Sequence, residues 1–162
     1  MTYYKCMKQV PIIEIVAAWQ EYCAALDDWQ KLIKGVEPKA TGCGPVYELP
    51  NPLKRPDESF AVVDMRDMEY AEPHYHPGDV WEFYFVLEGR ATVVIGNAEQ
   101  PLNKGEVVVI PPNTGHFTIP EDECVIAAVM TPPFKPEDYI KLAGPKAGID
   151  YNEALFQKLT KG

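Results

Sequence analysis

The chain predicts an all-β sandwich or barrel, flanked by an N-terminal amphipathic helix and a short C-terminal helix. Two observations carry that reading. After Phe60 the sequence becomes a succession of short β-rich runs separated by turn residues, and no helical period interrupts them. The length of 162 residues matches one domain, large enough to bury a core without disulfides or a structural metal.

The elements follow in order. Over residues 10–34, Ile12, Val16, Trp19, Cys23, Leu26 and Ile33 recur at helical spacing, and Gly35 stands where a C-cap belongs. Its apolar stripe predicts packing against the barrel or a second subunit, a better reading than a cofactor stripe made of Trp19, Tyr22 and Trp29. From Val36 to Ser59 the chain is rich in Pro and Gly, a connecting segment with one short edge strand, Pro45 to Leu49. The β-rich runs are Phe60–Met65, Tyr70–His76, Trp81–Leu87, Ala91–Ile95, Glu106–Ile110, His116–Ile119 and Cys124–Met130. Gly89, Gly96-Asn97, Gly105 and Pro111-Pro112-Asn113 punctuate them. After Thr131, Asp150 through Glu153 resemble a capping box that opens a short helix ending near Lys158. The organisation is thus 1–59 for the helix and connector, 60–134 for the barrel, and 135–162 for the C-terminal extension, all within one domain.

Composition excludes several function classes. A net charge of −9 argues against nucleic acid and anionic membrane as partners. The only arginines are Arg55, Arg66 and Arg90, few for gripping a phosphorylated substrate. The N-terminus shows no signal-peptide pattern, and no apolar run reaches membrane-spanning length. The cysteines (Cys6, Cys23, Cys43, Cys124) form no Cys-x-x-Cys pair, so reduced thiols and a cytoplasmic location are expected.

All the histidines fall in metal-ligand arrangement: His74-Tyr75-His76, then Glu82, then His116. A His-x-His pair on a strand puts both imidazoles on one face. Three neutral imidazoles and one carboxylate converging on a point make a divalent-metal site. Asp79 is a rival carboxylate, but directly after Pro77-Gly78 it reads as a turn residue. Glu88, before Gly89, reads as a solvated hairpin residue.

These pieces resemble the two motifs of the cupin superfamily. His74-x-His76, Glu82 and, six residues on, Gly89 are similar to the first motif, Gly-x5-His-x-His-x(3,4)-Glu-x6-Gly. Gly105-x5-Pro111-x-Asn113-x-x-His116 is similar to the second, Gly-x5-Pro-x-Gly-x-x-His-x3-Asn. The resemblance covers residues 60–130. Five residues rather than three or four separate His76 from Glu82, which implies a longer turn that still returns Glu82 to the pocket. Asn113 replaces a Gly, a mild change because Asn tolerates the left-handed backbone region. Pro120 replaces the terminal Asn.

The resemblance implies a double-stranded β-helix, or jelly-roll barrel, holding one divalent ion (Fe, Mn, Ni or Zn) on His74, His76, Glu82 and His116. An octahedral ion on four protein donors keeps two positions for water, dioxygen or substrate, whereas tetrahedral Zn would be closed. Strand parity puts Tyr84 and Val86 on the face of Glu82, with Phe83, Phe85 and Leu87 facing another layer. Tyr84 is therefore the candidate acid or orienting hydroxyl. Val62, Asp64 and Arg66 share a face, making Arg66 a candidate grip on a substrate carboxylate, with a salt bridge to Asp64 or Asp67 as the commoner fate. Thr118 shares the face of His116 and is a candidate pocket hydroxyl.

The expected function is that of a small metalloenzyme acting on a small, polar, unphosphorylated molecule by dioxygenase-type or isomerase/lyase-type chemistry. The competing reading is a non-catalytic metal- or ligand-binding cupin, a sensor or storage protein. A homodimer is expected, because small cupins often pair and the N-terminal helix has two Trp residues to bury.

Overall fold

The computed structural model describes residues 20–161. Its frame is a pair of long antiparallel strands, β5 (Trp81–Ile95) and β8 (His116–Thr131), paired along their whole length from Trp81↔Thr131 to Ile95↔His116. Beyond β5 lie β7 (Val107–Ile110) and β6 (Ala98–Asn103). Beyond one half of β8 lie β3 (Ser59–Asp64), β2 (Gly44–Leu49) and β1 (Lys39–Thr41); beyond its other half lie β4 (Ala71–Tyr75) and β9 (Ile140–Lys141). The antiparallel sheet curls into the expected cupin barrel.

Gly89 is not the hairpin that the sequence suggested. It is a bulge inside β5, at φ 69°, where β8 bends alongside it at Asp122 (φ 52°) and Glu123 (φ 61°). A Cβ at Gly89 would lie 2.2 Å from the Asp122 carbonyl oxygen, so only Gly lets the two strands bend together. What read as two pairs of short strands are therefore two long ones. Glu88, expected to be merely solvated, accepts from Trp29 Nε1 and Lys104.

The connector also holds more structure than one edge strand. β1 and β2 form a hairpin, and β1 takes the edge, leaving β2 between β1 and β3. The Thr41 hydroxyl shapes the turn, donating to the Gly44 carbonyl and accepting from Cys43 N–H. β1 has no sequence signal of its own, because its three residues are all exposed and carry no alternation. β6 lacks one for a like reason: it is a polar edge strand containing Pro101.

Both faces of the barrel wall are buried, with strict period-two alternation. Phe83, Phe85 and Leu87 of β5, with Val125, Ala127 and Val129 of β8, form the outer layer. Tyr84 and Val86, with Cys124 and Ile126, face the barrel interior. The outer layer is covered by the N-terminal region. Residues 20–25 are helical, a turn follows at 26–28, and α1 (Trp29–Ile33) completes the segment. The Ile12, Val16 and Trp19 positions of the expected helix lie outside the described residues. Tyr22, Leu26 and Trp29 bury in the outer core, the Tyr22 ring 5.6 Å from that of Phe85. Trp29 is thus satisfied within its own chain and does not call for a second subunit.

A polar latch fixes this cover. Tyr22 Oη donates to the buried Glu58 carboxylate, Asn51 Nδ2 donates to Tyr22 Oη at 2.7 Å, and Arg55 pairs with Glu58 at 3.0 Å. At the other end, α2 (Glu153–Thr160) begins at Asn152, whose side chain accepts from Leu155 N–H at 2.9 Å. Asp150, the expected cap, instead forms a bridge with Thr114. Among the described residues no helix is long and apolar enough to cross a membrane.

Candidate metal centre

The ligand residues come from three strands and the turn after one of them. His74 lies on β4, with His76 just beyond its end. Pro77 to Val80 then form a turn, with Gly78 at φ 71° and Val80 N–H donating to the Pro77 carbonyl. This turn absorbs the long spacing and starts β5 so that Glu82 faces inward, while Asp79 stays exposed. Asn113, at φ 57°, donates its backbone N–H to the His76 carbonyl at 2.8 Å and delivers the chain to His116 at the start of β8.

Ligand atoms of His74, His76, Glu82 and His116 all lie within 4.8 Å of one another, and all four residues are buried. The His74 ring is 5.0 Å from that of His76 and 4.2 Å from that of His116, centroid to centroid. Each imidazole is fixed from behind. Nδ1 of His74 meets the Glu72 carbonyl at 2.9 Å, that of His76 meets the Asp138 carbonyl at 2.8 Å, and that of His116 meets the Thr114 carbonyl at 3.0 Å. A carbonyl only accepts, so each Nδ1 carries a proton and each Nε2 is left facing the centre, where a metal would take its lone pair.

The electrostatics ask for a cation there. Glu82 Oε2 lies 2.7 Å from His76 Nε2 and 3.2 Å from His116 Nε2, and His116 Nε2 is buried without a hydrogen-bond partner. Burial works against the Glu82 charge, but the neighbouring His76 and His116 outweigh it and hold the carboxyl below its ordinary range. Burial, together with the other two imidazoles, pushes His74 well down and keeps it neutral. Burial also disfavours a charged His76, yet Glu82 outweighs that and raises it. Three Nε2 lone pairs and a carboxylate packed this closely repel one another unless a proton or a metal ion sits among them. The donor set fits a divalent ion.

The cluster forms part of the wall of a cavity of about 540 Å³. Tyr84 lines it with Glu82, and burial first, then the Glu82 charge, keeps its phenol protonated. The other candidates fall elsewhere. Arg66 lies outside the cavity, because the interior face of its strand and the residue beyond carries Ala61, Val63 and Met65, while Val62 packs in the outer core. Its guanidinium grips Asp64 in two bonds, of 2.9 and 2.7 Å, so its carboxylate partner is internal. Thr118 is buried level with Ala71 and Val93 and is not part of the cavity wall.

Tyr139 is the site residue that the sequence did not reveal. The segment after the barrel folds back, and β9 pairs with β4 through His74↔Lys141. This lays the Tyr139 ring on that of His74, 4.3 Å between centroids and 22° from parallel. Tyr139 Oη donates to Glu72 at 2.7 Å and lies 3.6 Å from Cys43 Sγ. Burial pushes the Tyr139 phenol up, and likewise raises the Cys43 thiol to about 12. The sequence signal was slight: an aromatic three residues after Pro136, in a stretch without strand alternation.

A family model described as a cupin domain matches residues 61–130. No curated protein sequence matches the chain. Among solved structures, the chain is similar to a variant of Streptomyces PAC13 with uridine, at a TM-score of 0.58 and 12% identity, covering 70% of this chain and 90% of that one. PAC13 is described as a nucleoside dehydratase. A protein from Planctomyces limnophilus is similar at a TM-score of 0.55 and 26% identity, with 67% of this chain and 91% of that one covered. An oxalate decarboxylase from Lactobacillus farciminis, in a formate complex, is similar at a TM-score of 0.56 and 22% identity, over 68% of this chain and 34% of that one. The domain match gives residues 61–130 as a cupin domain, and the fold likenesses agree with its barrel.

Proposed function

We propose that the protein is a metal-dependent enzyme of the redox-neutral lyase or isomerase type, acting on a small unphosphorylated molecule. One observation carries this reading above the others. The cluster of His74, His76, Glu82 and His116 is not sealed in the core, since three of its members line a cavity of substrate size. A divalent metal held by those residues would supply Lewis acidity to a carbonyl or hydroxyl.

The chain's own groups do the rest. The cavity walls would hold a substrate against the cluster. Tyr84, on the same strand face as Glu82, presents a phenol to the cavity and can donate a proton or hydrogen bond to a leaving or developing oxygen. Tyr139 holds the His74 ring in place. Among the described residues Lys39 is the only Lys or Arg lining the cavity, already paired with Glu48 at 2.6 Å, which supports an unphosphorylated substrate. That fold relatives are described as a nucleoside dehydratase and an oxalate decarboxylase supports lyase-type chemistry over oxygenation.

The test is a turnover screen of hydroxy acids, oxo acids and nucleosides with metal-loaded protein, under air and under argon. The proposal expects product under both atmospheres and a loss of rate in Tyr84→Phe with metal content intact. Turnover that requires oxygen would instead favour the dioxygenase branch.

A further inference from the structure

We infer that the substrate is amphiphilic: a polar, metal-directed head on an apolar aliphatic or aromatic body that fills the cavity toward β1. This rests on the metal reading above and deepens it, since a small polar molecule would leave most of the cavity unmatched. The polar groups gather at one side, on His74, His76, Glu82 and Tyr84. The rest of the wall is mostly apolar, with Val46, Val63, Met65, Ile126, Met130 and Phe134, and Ser59, whose hydroxyl accepts from Phe134 N–H, is its polar exception. Strand register spreads these residues along the barrel. Met130 lies level with Glu82, Ala128 with Tyr84, and Ile126 with Val86; Ile126 is also level with Val63, and Val63 with Val46 on β2. An apolar wall therefore runs from the ligand cluster across β8 and β3 to β2. The exposed lining residues Lys39, Thr41, Glu48 and Pro136 mark the mouth.

A charged or heavily hydroxylated body placed along that wall would give up its hydration and find few partners away from the mouth. An apolar body gains from the same burial, roughly four-fold in affinity per methylene. A volume of about 540 Å³ also exceeds what a two- or three-carbon acid needs.

The experiment is calorimetric titration of Ni(II)-loaded protein with acetohydroxamate, butanohydroxamate, hexanohydroxamate and octanohydroxamate, with bound nickel measured on the same samples. These probes share one chelating head and differ only in the tail, and octahedral Ni(II) on four protein donors keeps two positions for that head. The inference expects affinity to climb several-fold per added methylene before levelling when the tail outgrows the cavity. Ala128→Phe, which narrows the wall beside Tyr84, should retain nickel and acetohydroxamate binding while losing most of the gain with tail length. Phe134→Ala, a milder change near the mouth, should flatten the climb for the longest tail only. Equal affinities along the series in nickel-loaded wild type would overturn the inference and leave the metal reading standing. Failure to bind nickel or any other divalent ion would overturn the metal reading, and this inference with it.

Discussion

Tyr139 stacks on His74 although the two lie 65 positions apart in sequence, and its hydroxyl donates to Glu72, whose own backbone carbonyl accepts the His74 Nδ1–H. One side chain thus braces the ring and the residue that fixes its tautomer. Groups in that position commonly govern metal affinity as strongly as a ten-fold change or more. Tyr139→Leu should weaken metal binding roughly ten-fold, and Tyr139→Phe, which keeps the stacking, should weaken it less. A competition titration against a metal-sensitive dye measures both. Equal affinities in wild type and Tyr139→Leu would remove Tyr139 from the site.

Arg66 should prove dispensable for ligand and metal. Its partner Asp64 is held below its ordinary range mainly by the Arg66 hydrogen bonds. A carboxylate depressed on folding adds stability above its unfolded pKa, roughly 3.9, and loses it as pH falls through the folded value. Arg66→Ala should therefore cost below about 1 kcal/mol at neutral pH, because the guanidinium is half exposed. The difference from wild type should vanish in strong acid. Urea unfolding at several pH values checks this.

The latch at Tyr22 should matter more. Removing its hydroxyl leaves the buried Glu58 carboxylate with Arg55 as its remaining side-chain partner. Tyr22→Phe should destabilise the fold by about 1–3 kcal/mol, read from the denaturant midpoint, with no change in metal stoichiometry.

Cys43 and Cys124 are buried thiols, each raised to about 12 chiefly by burial. The thiolate is the reactive form, so both should resist alkylation in the folded protein at about pH 8 and react fully once unfolded. Peptide mass spectrometry after iodoacetamide treatment distinguishes the two states. Rapid native labelling of Cys43 would show that its environment is wetter than described.

Most of the frame was legible because it rests on local periodicity. The alternation of Glu82, Tyr84 and Val86 against Phe83, Phe85 and Leu87 separates two layers from sequence alone. The His-x-His spacing also survives translation into structure, because a strand repeats every two residues. What escaped depends on distant partners. Gly89 looks like a turn until Asp122 is seen against it, and β1 and β6 are strands chiefly because a neighbour pairs with them. Tyr139 gains its role from β9 pairing with β4, which no local pattern announces. Arg66 was placed on a correct face, but that face is not the cavity's.

The central claim is that His74, His76, Glu82 and His116 hold one divalent ion, and elemental analysis of wild type and His116→Ala tests it most directly. His116 is the sharpest choice, since its Nε2 is buried and makes no hydrogen bond within the protein. The account predicts one equivalent of divalent metal in the wild type, lost from the variant, and lost from the wild type in acid as a proton takes the place of the metal on His76, which Glu82 makes the easier imidazole to charge. A full equivalent of metal retained in His116→Ala would contradict it.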